Sequence, residues 1–254
     1  MKIIRFERQD KVSWGILEDS NVYALSGNLY GEFTKGSLIC PLSDVRLLAP
    51  VEPRITVACG LNYKEVIEDL GRPAPEEPAL FFKPPNTIIG PEADIVYPPI
   101  SQRLTYEAEL CCVMKRRAKN VPESQALEYV LGYTCGNDCS LMDLFEKDGR
   151  LTRSKGFDTS GPLGPAIATD LDPHNARIQG RVSGKQIQDG NTRDMIFSPE
   201  HIISYISNFM TLEPGDVVWT GTPAGGHYPV RPGDVIEVEI DGIGLLRNRI
   251  VAAK

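Results

Sequence analysis

The 254-residue sequence predicts an α+β fold in which strands dominate. Short β-prone segments recur along the chain, among them ITVACG, ALFFKP, YEAELCCVM, GDVVWTG and DVIEVEI. Proline and glycine separate these segments, and 20 Pro with 23 Gly supply the turn residues that many short strands need. Two stretches with apolar residues at helical spacing complete the pattern. The sequence therefore favours a strand-rich body with few helices.

The first 50 residues form a small β-rich unit, and the remaining residues form the main domain. KIIRF, SWGILED and NVYALSG alternate with polar turns in the first unit, and the proline-bearing stretch APVEP marks its end. We therefore predict an N-terminal domain over 1–50 and a main domain over 51–254. The two predicted helices are PESQALEYVLG, which starts at Pro122, and SPEHIISYISNFM, where Ser198 is the N-cap and Pro199 the first helical residue.

Composition and charge exclude several classes of function. A net charge of −7 argues against a nucleic-acid surface, because such a surface needs a basic face. No apolar run approaches the roughly 20 residues of a membrane helix. Charged residues near the start oppose a signal peptide, and the six cysteines form no paired CxxC sets. We expect a cytoplasmic protein with reduced thiols, with no nucleic-acid or membrane partner.

Two glutamates interrupt the apolar segment YEAELCCVM. On a strand, Glu107 and Glu109 point to the same face, which Cys111 and Val113 continue, and their spacing is roughly 7 Å. One interpretation is a solvent-facing strand, where two acids cost little. The other is a shared cation, which makes a carboxylate pair tolerable on a buried element. These residues alone leave both interpretations open.

A third acid, Asp138, is the last residue of the segment GYTCGND, and an aspartate at a strand end is ordinarily turn chemistry. The order of the motifs is more specific. YEAEL, GYTCGND, RSKGFDTSGPLGP, QDGNTRDMIFS, TLEPGDVVWTGTPAG and RPGDVIEVEIDGIG follow one another from about residue 52 to the end of the chain. In this order the chain resembles the fumarylacetoacetate hydrolase superfamily.

The resemblance implies a fold, a cofactor and a set of site residues. The implied fold is the mixed β-sandwich roll of the family's C-terminal domain, and family members are commonly homodimers. Glu107, Glu109 and Asp138 match the family's ligands for Mg²⁺ or Mn²⁺, and an all-oxygen ligand set suits such hard cations. Lys155 matches an active-site lysine and Thr222 a substrate-contacting threonine. The partner implied is a small 2-oxo acid.

Two more residues, Lys83 in FFKPPN and Gln188 in IQDGNT, lie in family segments and are predicted to line the substrate pocket. The glycine-bearing loop GTPAGG lacks the GK[ST] ending of a phosphate loop. By the resemblance, it forms the lip of that pocket.

The chain departs from the family pattern at two places. After the GLNY motif, many members carry a catalytic His and, three residues later, a Glu; here these positions hold Val66 and Asp69. After the metal-binding aspartate, the family's Arg and Gln are replaced by Met142 and Phe145, which suggests a less polar substrate arm. Substitute acids and bases are Asp69, foremost, and Glu65 and Glu68. His227, beside the pocket loop, is a further candidate base.

These departures shape the predicted function. Through a metal-stabilised enolate the family hydrolyses C–C bonds, decarboxylates or isomerises, and hydrolysis needs a water activated by a general base. Without the family His, we predict a divalent-metal-dependent isomerase (tautomerase) or decarboxylase of a 2-oxo acid. The alternatives are a C–C bond hydrolase of an acylpyruvate or fumarylpyruvate, and a non-catalytic binding protein in which the metal is a structural staple.

Overall fold

The computed structural model describes residues 1–253, and its strands outnumber its helices as the sequence predicts. Within these residues the strands are β1 Lys2–Arg8, β2 Lys11–Glu18, β3 Asn21–Gly27, β4 Phe33–Pro41, β5 Arg46–Leu48, β6 Thr56–Gly60, β7 Ala79–Lys83, β8 Ile88–Ile89, β9 Asp94–Tyr97, β10 Leu104–Tyr106, β11 Ala108–Met114, β12 Val130–Asn137, β13 Ser140–Leu141, β14 Gly161–Ala168, β15 Arg177–Val182, β16 Lys185–Asn191, β17 Val217–Trp219, β18 Tyr228–Val230, β19 Val235–Ile240 and β20 Gly244–Ala252. The α-helices are α1 Lys64–Asp69, α2 Met142–Asp148, α3 Thr152–Lys155 and α4 Pro199–Phe209.

The strands form three sheets, two of them mixed and the smallest antiparallel. The largest has twelve strands in the order β4-β3-β2-β1-β14-β12-β11-β17-β6-β7, with β5 on β1 and β8 on β14. A three-stranded sheet has the order β13-β10-β18, and a five-stranded sheet has the order β16-β15-β19-β20-β9. Most pairs are antiparallel, whereas β17 with β6, β14 with β8 and β20 with β9 are parallel. The predicted strand-dominated α+β fold is confirmed.

Two hydrophobic layers cover the faces of the large sheet. On one face, residues of β11 and β12 such as Leu110 and Tyr133 share a core with the five-stranded sheet and with Ile202 and Ile206 of α4. On the other face, Cys111 and Trp219 share a core with residues of the first 51 positions: Ile3, Leu29, Ala49 and Val51. Burial of both faces explains why every residue of β11 is buried and why all of them except Glu109 are apolar.

The N-terminal strands continue the large sheet without a gap in hydrogen bonding. Lys2 and Ile3 of β1 pair with Ala168 and Ile167 of β14. The division of the chain at residue 50 stays a prediction about domain organisation, while the strands on both sides of it belong to one sheet.

Two local expectations from the sequence need correction. PESQALEYVLG yields a 3₁₀ helix, Glu123–Tyr129, because β12 begins at Val130 and pairs there with Met114. The predicted single strand through residues 106–114 is two strands. β10 pairs with β13 and β18, whereas β11 pairs with β12 and β17, so the chain passes from one sheet to another at Glu107.

The predicted start of the second helix is confirmed. Helix α4 begins at Pro199, and the Ser198 hydroxyl caps it by accepting a hydrogen bond from the His201 N–H at 3.3 Å. The six cysteines are buried free thiols. Among the helices of residues 1–253, none combines the length and the apolar composition needed to cross a membrane.

Candidate metal and substrate site

Three buried carboxylates meet at the junction of the twelve-stranded and three-stranded sheets. Glu107 is 4% exposed, Glu109 2% and Asp138 0%. Each offers an oxygen, and these oxygens all lie within 4.8 Å of one another. The solvent-facing interpretation of the glutamate pair is therefore wrong, because exposed carboxylates would not be enclosed in this way.

The local backbone explains how the acids converge. Glu107 occupies the passage between β10 and β11, Glu109 is the second residue of β11, and Asp138 directly follows β12. The Asn137 side-chain oxygen accepts a hydrogen bond from the Glu107 N–H, and the Asp138 N–H donates to the Glu107 carbonyl. These bonds hold the ends of the two acid-bearing segments side by side.

Two buried lysines face the carboxylates. The Lys155 Nζ lies 2.8 Å from Glu107 Oε2 and 2.6 Å from Asp138 Oδ2. The Lys83 Nζ lies 2.6 Å from Asp138 Oδ1 and also donates to the Lys155 carbonyl and the Ser160 hydroxyl. Aromatic rings flank both ammonium groups: Lys155 lies over Phe81 at 5.3 Å, and Lys83 over Trp219 at 5.7 Å.

His227 lies at the edge of this cluster. Its Nε2 is 2.6 Å from Glu107 Oε1, and its side chain is 47% exposed, whereas that of Glu107 is 5% exposed. The Ser140 hydroxyl donates to the same Glu107 oxygen at 3.1 Å. Both oxygens of Glu107 therefore have partners, one of which is a half-exposed imidazole.

The electrostatic balance is unequal among the acids. Burial raises the pKa of Glu109, and the charges of Asp138 and Glu107 raise it further, well above the usual range. Burial opposes ionisation of Glu107 too, but Lys155 and His227 outweigh it and hold the pKa of Glu107 below its usual range. Although burial disfavours the charged lysine, the carboxylates of Asp138 and Glu107 raise the pKa of Lys155. The charge of Glu107 and its hydrogen bond raise the pKa of His227.

The residues present fit a divalent cation. When all three acids are ionised, two lysines leave one carboxylate charge without a lysine partner inside the protein. Burial and the neighbouring carboxylates therefore raise the pKa of Glu109, and a bound divalent cation would offset this unfavourable charge. Among the described residues, Glu109 has no cationic partner, and its Oε2 accepts a hydrogen bond from the Gly221 N–H at 2.9 Å. Such a compact set of buried carboxylates could bind a metal ion.

Gly221 must be a glycine for this contact to form. Its φ is +90°, a conformation that a side chain strains, and a Cβ there would lie 2.9 Å from the Asn62 Cβ and from the Cys59 carbonyl oxygen. The glycine allows the TGTPAG loop to pass close to the end of β6 and to Asn62 while its N–H reaches Glu109.

Thr222 and Gln188 lie beside the cluster, where their side chains bind the backbone of Ala108, the residue between Glu107 and Glu109. The Thr222 hydroxyl donates to the Ala108 carbonyl at 2.9 Å, and the Gln188 carboxamide accepts from the Ala108 N–H at 3.0 Å. The Gln188 Nε2 donates to Thr222 Oγ1, also at 2.9 Å. The structure thus brings these two predicted residues together, with their polar atoms engaged by protein groups.

Asp69 is not brought into the cluster. Asp69 is the last residue of α1 and is exposed, and Glu65 and Glu68 on the same helix are exposed too. Among the described residues, no hydrogen bond or ion pair joins Asp69 to the three carboxylates. Val66 packs against the hydrophobic core. The catalytic role of Asp69 therefore stays a prediction without a contact that supports it.

Sequence reasoning missed Ser140, Phe81 and Trp219 as neighbours of the charged groups, and it treated Lys83 only as part of the pocket wall. Ser140 comes two residues after Asp138, which was a usable signal. The FFKP motif contains both Phe81 and Lys83, one on each side of Phe82. Because alternate residues of a strand share a face, this spacing could have placed both at one site.

The fold and this cluster define a class of protein: a strand-dominated fold with a buried carboxylate site where the three-stranded sheet meets the twelve-stranded sheet. Residues 56–251 match the family model described as fumarylacetoacetate (FAA) hydrolase, C-terminal, and residues 1–50 match the model described as Rv2993c-like, N-terminal. The chain belongs to the fumarylacetoacetate hydrolase superfamily.

Similar proteins support this assignment. The structure of 5-carboxymethyl-2-hydroxymuconate delta-isomerase from Mycobacterium smegmatis is 37% identical with a TM-score of 0.93, and each chain is covered at 100%. A fumarylacetoacetate hydrolase from Exiguobacterium antarcticum is 32% identical with a TM-score of 0.90, also with 100% of each chain covered. A human mitochondrial oxaloacetate tautomerase is 38% identical over 225 residues, 84% of this chain and 72% of its own. These relatives are enzymes named for different reactions.

Proposed function

We propose that the protein is a tautomerase or isomerase of a 2-oxo acid that depends on Mg²⁺ or Mn²⁺. The observation that carries this proposal is the position of the Lys155 ammonium, which joins two of the three buried carboxylates at 2.6 and 2.8 Å. An acidic cluster that served only to hold a structural ion would not need a buried cation between its members. Positive charge at this position is suited to an oxygen that becomes negative during a reaction.

Glu107, Glu109 and Asp138 would hold the cation, which would act as a Lewis acid toward a 2-oxo acid. Lys155 adds positive charge where an enolate oxygen develops. Burial of the acids and of Lys155 keeps water from weakening these interactions. Thr222 is predicted to contact the substrate from the pocket lip, and Lys83 keeps Asp138 in place. A keto-enol shift requires no attacking water, but the proton that leaves carbon needs an acceptor before oxygen is protonated; His227, half-exposed at the edge of the cluster, is the candidate for this proton transfer.

Hydrolysis is less well supported by the same residues. An activated water requires a general base, which contributes about 10²–10⁴-fold in rate. The family position for that base holds Val66, which packs in the core, and Asp69 is exposed on α1. Decarboxylation is the second candidate, since it forms an enolate without a base. The names of the human tautomerase and the mycobacterial isomerase agree in kind with the proposal.

Proton NMR with Mg²⁺ tests the proposal. Oxaloacetate and a simple acylpyruvate are supplied separately, and we expect faster exchange between the keto and enol forms without cleavage of the acylpyruvate. Glu109→Gln should abolish the effect because it removes a carboxylate ligand. The matched control is Glu32→Gln, an exposed acid between β3 and β4, which should behave as the wild type.

The other outcomes are distinct. Pyruvate from oxaloacetate alone would favour the decarboxylase. Pyruvate plus a free acid from the acylpyruvate would establish a hydrolase and direct the search for its base to His227 and Asp69. Mn²⁺ binding without turnover of either compound would leave the non-catalytic binding protein. The homodimer implied by the family resemblance is a further prediction, which sedimentation equilibrium measures.

A further inference from the structure

Gln188 is the most enclosed of the predicted pocket residues. Its exposure is 0%, and protein groups occupy both ends of its carboxamide. The oxygen accepts from the Ala108 N–H at 3.0 Å, and the nitrogen donates to Thr222 Oγ1 and to the Pro223 carbonyl, both at 2.9 Å. An amide nitrogen has two donors, so none remains for a substrate.

The partner of this amide is the residue between the two glutamate ligands. Strand β17 ends at Trp219, opposite Cys111, so no strand lies beside Ala108 on that edge of β11. Gln188 binds the N–H of Ala108, and the Thr222 hydroxyl binds its carbonyl. Two side chains thus replace the backbone pairing that a longer β17 would have provided.

We propose that Gln188 is a positioning residue that holds the TGTPAG loop against Ala108 and thereby sets the separation of Glu107 and Glu109. The same loop supplies the Gly221 N–H that binds Glu109 Oε2 at 2.9 Å. A loop released from Ala108 would free both the backbone between the glutamates and one glutamate oxygen. This inference rests on the proposed cation site, because its functional consequence is the affinity for the cation.

The test is Gln188→Met, which removes the hydrogen bonds, approximates the side-chain length and leaves the charge unchanged. We expect the dissociation constant for Mn²⁺, measured from the EPR signal of the free ion, to rise by about tenfold or more. Loss of groups that hold metal ligands typically weakens binding by about 10–100-fold. Thr222→Val removes one hydroxyl from the same network and should raise the constant in the same direction.

The matched control is Asn248→Leu. Asn248 is also a buried amide, and it donates to the carbonyls of Gly90 and Ala93, both at 2.9 Å. We expect this variant to bind Mn²⁺ within about twofold of wild type. The melting temperatures of Gln188→Met and Asn248→Leu show how much stability each variant has lost. If Asn248→Leu weakened Mn²⁺ binding as much as Gln188→Met, the effect would be general and the inference overturned.

Hydrogen exchange of the metal-free protein gives a second readout. In Gln188→Met the amides of Ala108 and Gly221 should exchange faster than in wild type, whereas Asn248→Leu should leave both unchanged. A Gln188→Met protein with wild-type Mn²⁺ affinity and a raised KM for the oxo acid would make Gln188 a substrate contact and overturn the inference. If wild type binds Mn²⁺ no better than Glu109→Gln, the proposed function fails. Unchanged exchange of the Ala108 and Gly221 amides in Gln188→Met would overturn the inference that Gln188 holds the loop against Ala108.

Discussion

Lys155 and Lys83 are both buried beside Asp138, but their contacts give them different roles. Lys83 donates to a single carboxylate, that of Asp138, and to two neutral acceptors, the Lys155 carbonyl and the Ser160 hydroxyl. The Lys155 ammonium faces Glu107 and Asp138, the groups that would hold a cation. Of the two lysines, Lys155 is therefore the one suited to assist a reaction.

Lys155→Met should separate catalysis from cation binding. We expect kcat to fall by about 10²–10³-fold, the size of the loss when one group that stabilises a developing oxyanion is removed. The dissociation constant for Mn²⁺ should be no higher than in wild type, because loss of the ammonium leaves more negative charge in the cluster. Turnover with Mg²⁺ and EPR of free Mn²⁺ measure the two effects.

Lys35→Met is the control for Lys155→Met, since Lys35 lies on β4 and pairs with Glu18. It should retain both the turnover and the Mn²⁺ affinity of the wild type. Undiminished turnover in Lys155→Met would contradict a catalytic role for this lysine. Weaker Mn²⁺ binding would instead show that the lysine organises the carboxylates.

At the scale of elements, Asn62 of the GLNY motif connects three segments of the chain. Its side-chain nitrogen donates to the carbonyls of Phe197 and Thr220 at 2.9 and 2.7 Å, and its oxygen accepts from the Phe197 N–H at 2.8 Å. The residue is 1% exposed. It therefore ties the segment before α1 to the segment before α4 and to the start of the TGTPAG loop.

Asn62→Leu should lower the free energy of unfolding by about 3 kcal/mol. The substitution leaves backbone groups without partners, and each buried unsatisfied group costs about 1–3 kcal/mol. Urea unfolding measures the change. Asn175→Leu alters an exposed asparagine and should stay within about 0.5 kcal/mol of wild type. A loss of less than about 1 kcal/mol in Asn62→Leu would mean that the three segments do not depend on this side chain.

The elements that could be predicted from the sequence are those whose signals are local. The start of α4 follows from Ser198 and Pro199, which act within one helical turn. The 3₁₀ helix after Pro122 was predicted less accurately because its end depends on the pairing of β12 with β11. The break at Glu107 was missed, because it depends on β13 and β18, which are distant in sequence.

At the scale of the whole molecule, the N-terminal strands and the main body share one hydrophobic core. Ile3 of β1 is fully buried in one cluster with Val51, Leu163, Ile167 and Trp219 of the body. Burial of such side chains contributes roughly 1.5–3 kcal/mol each. We therefore expect the two parts of the chain to unfold together.

The two tryptophans allow this expectation to be measured, because Trp14 lies on β2 and Trp219 on β17. In Trp219→Phe, the fluorescence of Trp14 reports on the N-terminal strands; in Trp14→Phe, that of Trp219 reports on the body. In each variant, the urea transitions by fluorescence and by far-UV circular dichroism should coincide. A Trp14 transition that precedes the loss of circular dichroism would make residues 1–50 an independent folding unit.

The sequence by itself determined the strand-dominated fold class, which rests on local periodicity, and indicated the superfamily and its three acids, which rest on the resemblance carried by the order of the motifs. Two glutamates two residues apart and an aspartate after a strand are readable without coordinates. The tertiary structure decided which groups surround them. Lys83 and Asp138 are 55 residues apart, and Ala108 and Gln188 are 80 apart. No periodicity links such residues, because they meet only when the sheets pack together. In the buried site that results, Lys83 contacts Asp138 and Gln188 binds the backbone between the two glutamates.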